Sequence, residues 1–495
     1  MIESRGESVL SQIWLALDGD PRLMDRVRIA GPGRLLPGPF DVTEFAAVTV
    51  AAATLAAAEF GAWRLGIEVP PVEVDRLHAA AAFRSESLLR PLGWDLPPVW
   101  DPIAGNYQAK DGWIRLHTNY AHHRAAALRA LGFSVGPGPD AAVPDREQVA
   151  ALVYPFAVDD LEQAVLAEGG CAAAWRPARD WAQHPHGRIA VAHRAVTLKR
   201  HPSHAGVPLP RTLPASGPDR APGPVDFGAG PLTGIRVLDL TRVMAGPVTT
   251  RTLAAWGAEV IRIDPPGFAE VPALLPDMTA GKQCVALDLH AGKDRARFEA
   301  LVAEADVLVQ GLRPGALAAL GYPDNALRRL NPTLAIAAVN AYGWAGPWSG
   351  RRGFDSLVQF SCGISATCAA AADGSDRPGA LPAQALDHGT GYLLAAAICR
   401  GLTGQKHHDL GPADLHGALV GAANLLTRNF LPPTGADDPG PGRPADFASV
   451  TARRDTEWGP VTAVGPPGTI DGVGGAWRTA AGPLGRHEPN FGAER

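Results

Sequence analysis

Cysteine is scarce in this chain. There are five in 495 residues, and Cys171, Cys284, Cys362, Cys368 and Cys399 stand without C-x-x-C spacing. That argues against a disulfide frame or a zinc ribbon and for free thiols in a reducing compartment. Charge of one sign is also lacking: 45 Lys and Arg against 50 Asp and Glu give a formal charge of -5, with no basic excess to hold nucleic acid. Long hydrophobic runs are missing too. The longest uncharged apolar stretch, Phe45 to Ala58, is closed by Glu44 and Glu59 and falls short of the roughly 20 residues a bilayer span needs. The first residues, MIESRGESVL, do not follow the basic-then-apolar order of a secretory signal. The expectation is a cytoplasmic protein.

Several catalytic signatures are absent as well. No Walker G-x-x-x-x-G-K-[ST], G-x-S-x-G or H-E-x-x-H occurs. Histidines come in close pairs, His122 with His123, His184 with His186, His201 with His204 and His407 with His408, but without a carboxylate or thiolate at ligand spacing. Surface histidine is the stronger reading, and no metal is assigned.

What is present is an ordinary globular composition, 46% apolar, in a chain longer than one core usually holds. Two domains are expected. The stretch PLPRTLPASGPDRAPGPVDFGAG, residues 208–230, is dense in Pro and Gly and reads as a linker. Beyond it, IRVLDL (235–240), AEVIRID (258–264), CVALDL (284–289), ADVLVQG (305–311) and LAIAAVNAYG (334–343) are near-continuous apolar strands, as in a parallel sheet covered on both faces. Helical segments at 247–257 and 292–305 alternate with them. That order predicts a doubly wound α/β domain, with ligands beyond the strand ends in the loops after Leu240, Asp264 and Gln310. The first of these loops, DLTRVMAGP, lacks the G-x-G-x-x-G that NAD or FAD binding requires.

One acidic residue stands out. GALPAQALDHGTGYLLAAA (379–397) places Asp387 in a run of alanine, leucine and glycine. Asp387 can be read as the N-cap of a helix beginning near His388, which is a sufficient structural reason for it. A catalytic role needs support from elsewhere.

That support comes from a resemblance. PLTGIRVLDLTRVMAGP, GAEVIRID, AGKQCVALDL, ADVLVQGLRPGALAALG, LNPTLAIAAVNAYGWAGPWSGRRGFDSLVQFSCGI and ALDHGTGYLLAAA, in that order, resemble the family III CoA-transferases (the CaiB/BaiF family) over about residues 231 to 400. The resemblance implies a Rossmann-like doubly wound, mostly parallel sheet with a second, smaller α+β domain, and acyl-CoA as co-substrate with no metal or NAD. It implies that Asp387 is the nucleophile, moving CoA from an acyl-CoA thioester to a carboxylic acid through an aspartyl anhydride and an aspartyl-CoA. The apolar frame would exclude water from the anhydride. Gly389 and Gly391 would admit the acyl group to the backbone. His388 is either a contact of the substrate or a packing residue.

The same resemblance implies that Val243 and Ala245 lie along CoA, that Arg262 and Lys282 meet its phosphates, and that Arg313 of GLRPG flanks the nucleotide. Taken alone, Arg262 and Lys282 read as ordinary surface charge. Family members often carry Asn-Phe before Arg-Pro-Gly, and here Gly311 and Leu312 stand instead. An aromatic contact to adenine is therefore absent or replaced. The related α-methylacyl-CoA racemases use a His from a Gly-His-Asp stretch; this chain has Gly353-Phe354-Asp355, and phenylalanine carries no proton. Transfer is favoured over racemisation or a non-catalytic CoA-ester binder, and Asp355 is expected in structural hydrogen bonds.

The first half, with NYQAKDGWIRLHTNYAHHRAAALRALG (106–132) and GGCAAAWRPARDWAQHPHG (169–187), resembles the part that follows the nucleophile domain in ordinary members. The expected division is a substrate-covering domain at 1–207, the linker at 208–230, the CoA-binding catalytic domain at 231–430 and a closing segment at 431–495 that packs back on it. This order reads either as a permutation or as the remnant of a fused second copy. The family's interlocked dimers imply a homodimer. The helix expected from Asp41 to Phe60 is read as a core helix or as a contact between domains or subunits.

Overall fold

The computed structural model describes residues 5–133, 144–202, 230–372, 376–408, 410–431 and 445–492. The 208–230 linker lies almost wholly outside the described residues, as does the start of the closing segment. Helix α1 (Val42–Leu65) is followed by strands β1 (Val196–Arg200) and β2 (Arg236–Leu240), helix α2 (Ala245–Ala255), and β3 (Glu259–Asp264), β4 (Lys282–Ala286), β5 (Val307–Gln310) and β6 (Ala335–Asn340). Helix α3 (Ala385–His407) and β7 (Ala413–Ala418) complete the central unit.

These strands form one seven-stranded sheet in the order β4-β3-β2-β5-β6-β7-β1. It is parallel from β4 to β7, with β1 antiparallel at the edge against β7. Side chains alternate across it. Val237, Val260, Val307 and Ala337 face a core shared with α1, α2 and α3, whereas Leu238, Ile261, Leu308 and Ile336 face Phe298, Leu301 and Leu327 of the helices Gly292–Glu304 and Asp324–Leu330. Both faces are covered, as the aliphatic runs required. The chain leaves β2 toward β3 and β4 on one side, and leaves β5 toward β6 and β7 on the other. A crevice therefore opens at the carboxyl ends of β2 and β5.

Three glycine-dependent approaches set the helices. A Cβ on Gly389 would lie 2.4 Å from the Phe45 ring of α1. A Cβ on Gly391 would lie 2.7 Å from Val248 of α2 and 2.8 Å from the Ala245 carbonyl. One on Gly246 would lie 2.3 Å from Thr241. Only hydrogen fits at these crossings.

The division of the chain differs from the expected one. Helix α1 is 24 residues long and apolar enough in length and composition to cross a membrane, but it is buried inside the protein against α3. With alanine on nearly every face it has no side to offer water, so it sits in the central core rather than in a separate domain. Strand β1, also from the first half, closes the large sheet. The closing segment pairs with the first half as well: Thr469–Ile470 joins Val72–Glu73, and Val461–Thr462 joins Arg90–Pro91. The small α+β unit is confined to about residues 101–174. There the strands Gly105–Gln108, Trp113–Leu116 and Ala172–Ala174 pack with three helices around Tyr107, Ile114, Leu116, Val149 and Leu161.

Candidate active site

A cavity of about 360 Å³ occupies the crevice at the ends of β2 and β5. Its walls are the loops after β2 (Arg242–Gly246), β3 (Pro265, Phe268), β5 (Gly311–Pro314) and β6 (Val339–Ala341), the segment Arg351–Phe354, and Tyr120, His122 and His123 of the small unit. Asp387 is the one carboxylate among the lining residues.

Asp387 lies at the third position of α3, not at its cap. The N-cap residue is Gln384, whose side chain makes no capping bond. The cap is supplied from outside: Asp355 Oδ2 accepts the backbone N–H of Leu386 at 2.8 Å and of Asp387 at 3.0 Å. Asp355 thus makes structural hydrogen bonds. Asp387 is 8% exposed, and no described residue donates to its carboxyl oxygens. Burial raises its pKa well above the usual carboxylate range, and the negative charges of Asp355 and Glu86 add to the shift. The positive end of the 23-residue helix α3 acts in the opposite sense.

His388 points elsewhere. Its Nε2 meets Glu86 Oε2 at 3.0 Å and its ring stacks on Phe83 at 5.3 Å, outside the cavity. Gly389 is also outside, at the contact with α1, so the expectation that it contacts substrate gives way to helix packing.

Val243, Ala245 and Arg313 line the cavity, and Arg262 and Lys282 do not. Arg262 is fully buried, bound to Asp264 at 2.9 Å and to Glu270 at 3.0 Å. Lys282 is fully buried, with Nζ 2.9 Å from Asp239 and 3.1 Å from the Pro247 carbonyl. Asp239 also takes bonds from Thr241 N–H and Oγ1 and from Thr250 Oγ1. A phosphate contact by either cation does not fit this burial. On strands covered on both faces a charged side chain must find its partner inside the protein, and these two brace the loops from beneath.

Sequence reasoning missed Arg242, Arg351, Arg352 and the pair His122 and His123 as lining residues. Arg242 pairs with Asp264 at 3.2 Å and stacks on Phe268. Arg351 pairs with the fully buried Glu162 at 2.9 Å. Arg352 donates to the Gly169 carbonyl at 2.8 Å, and Arg313 is exposed at the rim; neither has a described carboxylate partner. His122 and His123 come from the NYAHHR segment; burial, helped by His122 and Arg352, pushes His123 down to about 3. Phe354 lies in the wall, stacked on His117 at 3.6 Å. The cavity thus carries four arginines and one carboxylate; with Arg242 and Arg351 already paired to Asp264 and Glu162, Arg313 and Arg352 are the cations placed to meet an anionic ligand. Among the described residues, no group of three or more His, Cys, Asp or Glu is placed to hold a metal.

Residues 232–443 match the sequence model of CoA-transferase family III. Among named relatives of the family III stretch, acetyl-coenzyme A transferase nodX of Hypoxylon pulicicidum is 39% identical over 139 residues, 27% of this chain and 23% of that protein. The probable fatty acyl-CoA transferase Rv3272 of Mycobacterium tuberculosis is 33% identical over 205 residues, 39% of this chain and 51% of that protein. An acyl-CoA transferase of Gibberella moniliformis is 27% identical over 332 residues, 66% of this chain and 55% of that protein. The chain therefore spans from about a quarter to about half the length of these relatives. The crystal structure of Rv3272 is similar with a TM-score of 0.37 at 30% identity, covering 40% of this chain and 57% of that one.

Proposed function

We propose that the protein is a CoA-transferase that moves CoA from an acyl-CoA thioester to a carboxylic acid through covalent acylation of Asp387. The supporting observation is the cavity itself. One carboxylate, without a hydrogen-bond donor among the described residues and largely shielded from water, faces a space that four arginines also line.

A desolvated carboxylate at a helix start is a stronger nucleophile than one in water. An Asp387 oxygen attacks the thioester carbonyl, the C–S bond breaks, and CoA leaves as thiolate with an aspartyl anhydride behind it. The thiolate then attacks Asp387 Cγ. That breaks the anhydride C–O bond, releases the first acid as its carboxylate and leaves an aspartyl-CoA thioester. The acceptor carboxylate attacks the same carbon and repeats the sequence in reverse. No step needs a proton, so a base beside Asp387 is not required. Val243 and Ala245 would lie along the pantetheine, Arg313 at the rim would meet phosphate, and the small unit at 101–174 would cover the acyl end with Tyr120, His122 and His123.

Racemisation at the α-carbon is the second reading, because His123 lines the same cavity. An imidazole held near 3 is a weak base, and Phe354 cannot serve. Incubation with an acyl-CoA and hydroxylamine decides: transfer leaves a hydroxamate on residue 387. Solvent deuterium entering the α-carbon without a carboxylate acceptor supports racemisation instead. CoA-dependent thermal stabilisation without turnover over a broad acyl panel indicates a binding protein.

A further inference from the structure

Three walls of the cavity meet on one carboxylate that the reaction does not use. Glu270, 7% exposed in the loop after β3, accepts the Tyr120 hydroxyl at 2.6 Å, Arg262 Nη2 at 3.0 Å and the Val243 backbone N–H at 3.2 Å. It also accepts the N–H of Val271 at 3.0 Å. Tyr120 belongs to the small unit and Val243 to the loop after β2, and both residues line the cavity.

Val243 is held in an unfavourable conformation. Its φ is +62°, in the left-handed region, where a β-branched residue is strained. Such a turn persists only where its surroundings fix it, and the Glu270 bond to its N–H is the contact that does so. The Tyr120 bond ties the small unit to the same anchor, and Arg262, neutralising Glu270 from beneath, is in turn braced by Asp264 at 2.9 Å. Loss of the anchor frees the Val243 turn and the small unit together.

We propose that Glu270 is a positioning residue for the acyl-CoA ligand: by holding the Val243 turn and the Tyr120 hydroxyl at once, it fixes the distance between the small unit and the catalytic sheet across the cavity. The inference rests on the acyl-CoA reading of the cavity. Its consequence is that Glu270 and Tyr120 act as one unit on ligand binding and leave the chemistry at Asp387 alone.

The test compares Tyr120→Phe, Glu270→Gln and the double variant. The measurements are kcat and KM for an acyl-CoA, the Kd for CoA by calorimetry, and the melting temperature. Each single variant is expected to raise KM and Kd about tenfold with kcat within about twofold, and the double variant to bind no worse than Glu270→Gln by more than about twofold. A merely structural role would lower the melting temperature without this division between KM and kcat. Unchanged KM in folded Tyr120→Phe overturns the proposal, as does a fall in kcat alone or multiplication of the two single effects in the double variant. If Glu270→Gln does not fold, Tyr120→Phe decides by itself, because it removes only a hydroxyl. The Kd needs no turnover, so the proposal stands or falls separately from trapping at Asp387.

Discussion

Asp355 Oδ2 accepts the backbone N–H of Asp387 at 3.0 Å, so one buried carboxylate caps the helix that presents another. The arrangement places two like charges at one helix start, and the pKa of each is raised, first by burial. The cap holds Asp387 in place while its charge makes Asp387 harder to ionise.

Replacing Asp387 by Asn is expected to abolish transfer and to stabilise the protein at neutral and alkaline pH. The folded-state pKa of Asp387 lies above its unfolded value. Its contribution to stability is therefore fully present below the ordinary carboxylate range and is lost as pH rises through the folded pKa. Asparagine does not titrate. The variant should melt higher than the wild type at pH 8, with a smaller gap at pH 5. Calorimetric melting at both values checks this; an equal gap at the two would contradict the raised pKa.

Asp355→Asn should move the acid limb of the transfer rate to lower pH, because Asp355 is the main neighbouring charge that raises Asp387. The same change spoils the cap, since Asp355 Oδ1 already accepts from Gln359 Nε2 at 2.5 Å and an amide group would set a donor against a donor. A loss of about 1–3 kcal/mol is expected. The pH–rate profile and a urea titration report the two effects separately.

The sheet was legible because strands buried on both faces must be nearly all aliphatic, and β2, β3 and β5 are marked by such runs to within a residue or two and β6 to within three. The loops after β2, β3 and β5 followed from their order. The charges on those strands were misjudged: a lone Arg262 or Lys282 looks solvated in a sequence, and nothing local shows that Arg262 turns inward to Asp264 and Glu270 or that Lys282 reaches Asp239 on another strand. Their position inside doubly covered strands was the available warning. Glu270 itself gave no signal, since nothing local shows that Tyr120 arrives beside it from 150 residues away. The glycines after Asp387 were visible, but that they serve helix crossings depends on where α1 and α2 lie.

Those crossings give a third prediction. Gly391→Ala would push a methyl group to 2.7 Å from Val248 and 2.8 Å from a backbone carbonyl that cannot move freely. A loss of about 1–3 kcal/mol is expected from overpacking. Gly389→Ala meets the Phe45 ring instead, and Phe45→Leu in the same chain should recover part of its loss. Denaturant midpoints of the two single variants and the pair measure this.

Lys282 and Arg313 should separate cleanly, one acting on stability and the other on ligand. Lys282→Met leaves Asp239 fully buried without its cation, a loss of about 3–5 kcal/mol. Because Lys282 lies beneath the β2 loop and outside the cavity, variant that remains folded should keep its KM for acyl-CoA within about twofold. Arg313 is exposed at the rim without a described carboxylate partner, so Arg313→Gln should change stability by less than about 0.5 kcal/mol. It should raise KM several-fold and weaken its salt dependence, because one charge–phosphate attraction has gone. Steady-state kinetics at two ionic strengths, with melting temperatures beside them, give both axes. A KM effect confined to Lys282→Met would return that lysine to the phosphates and displace Arg313 from them.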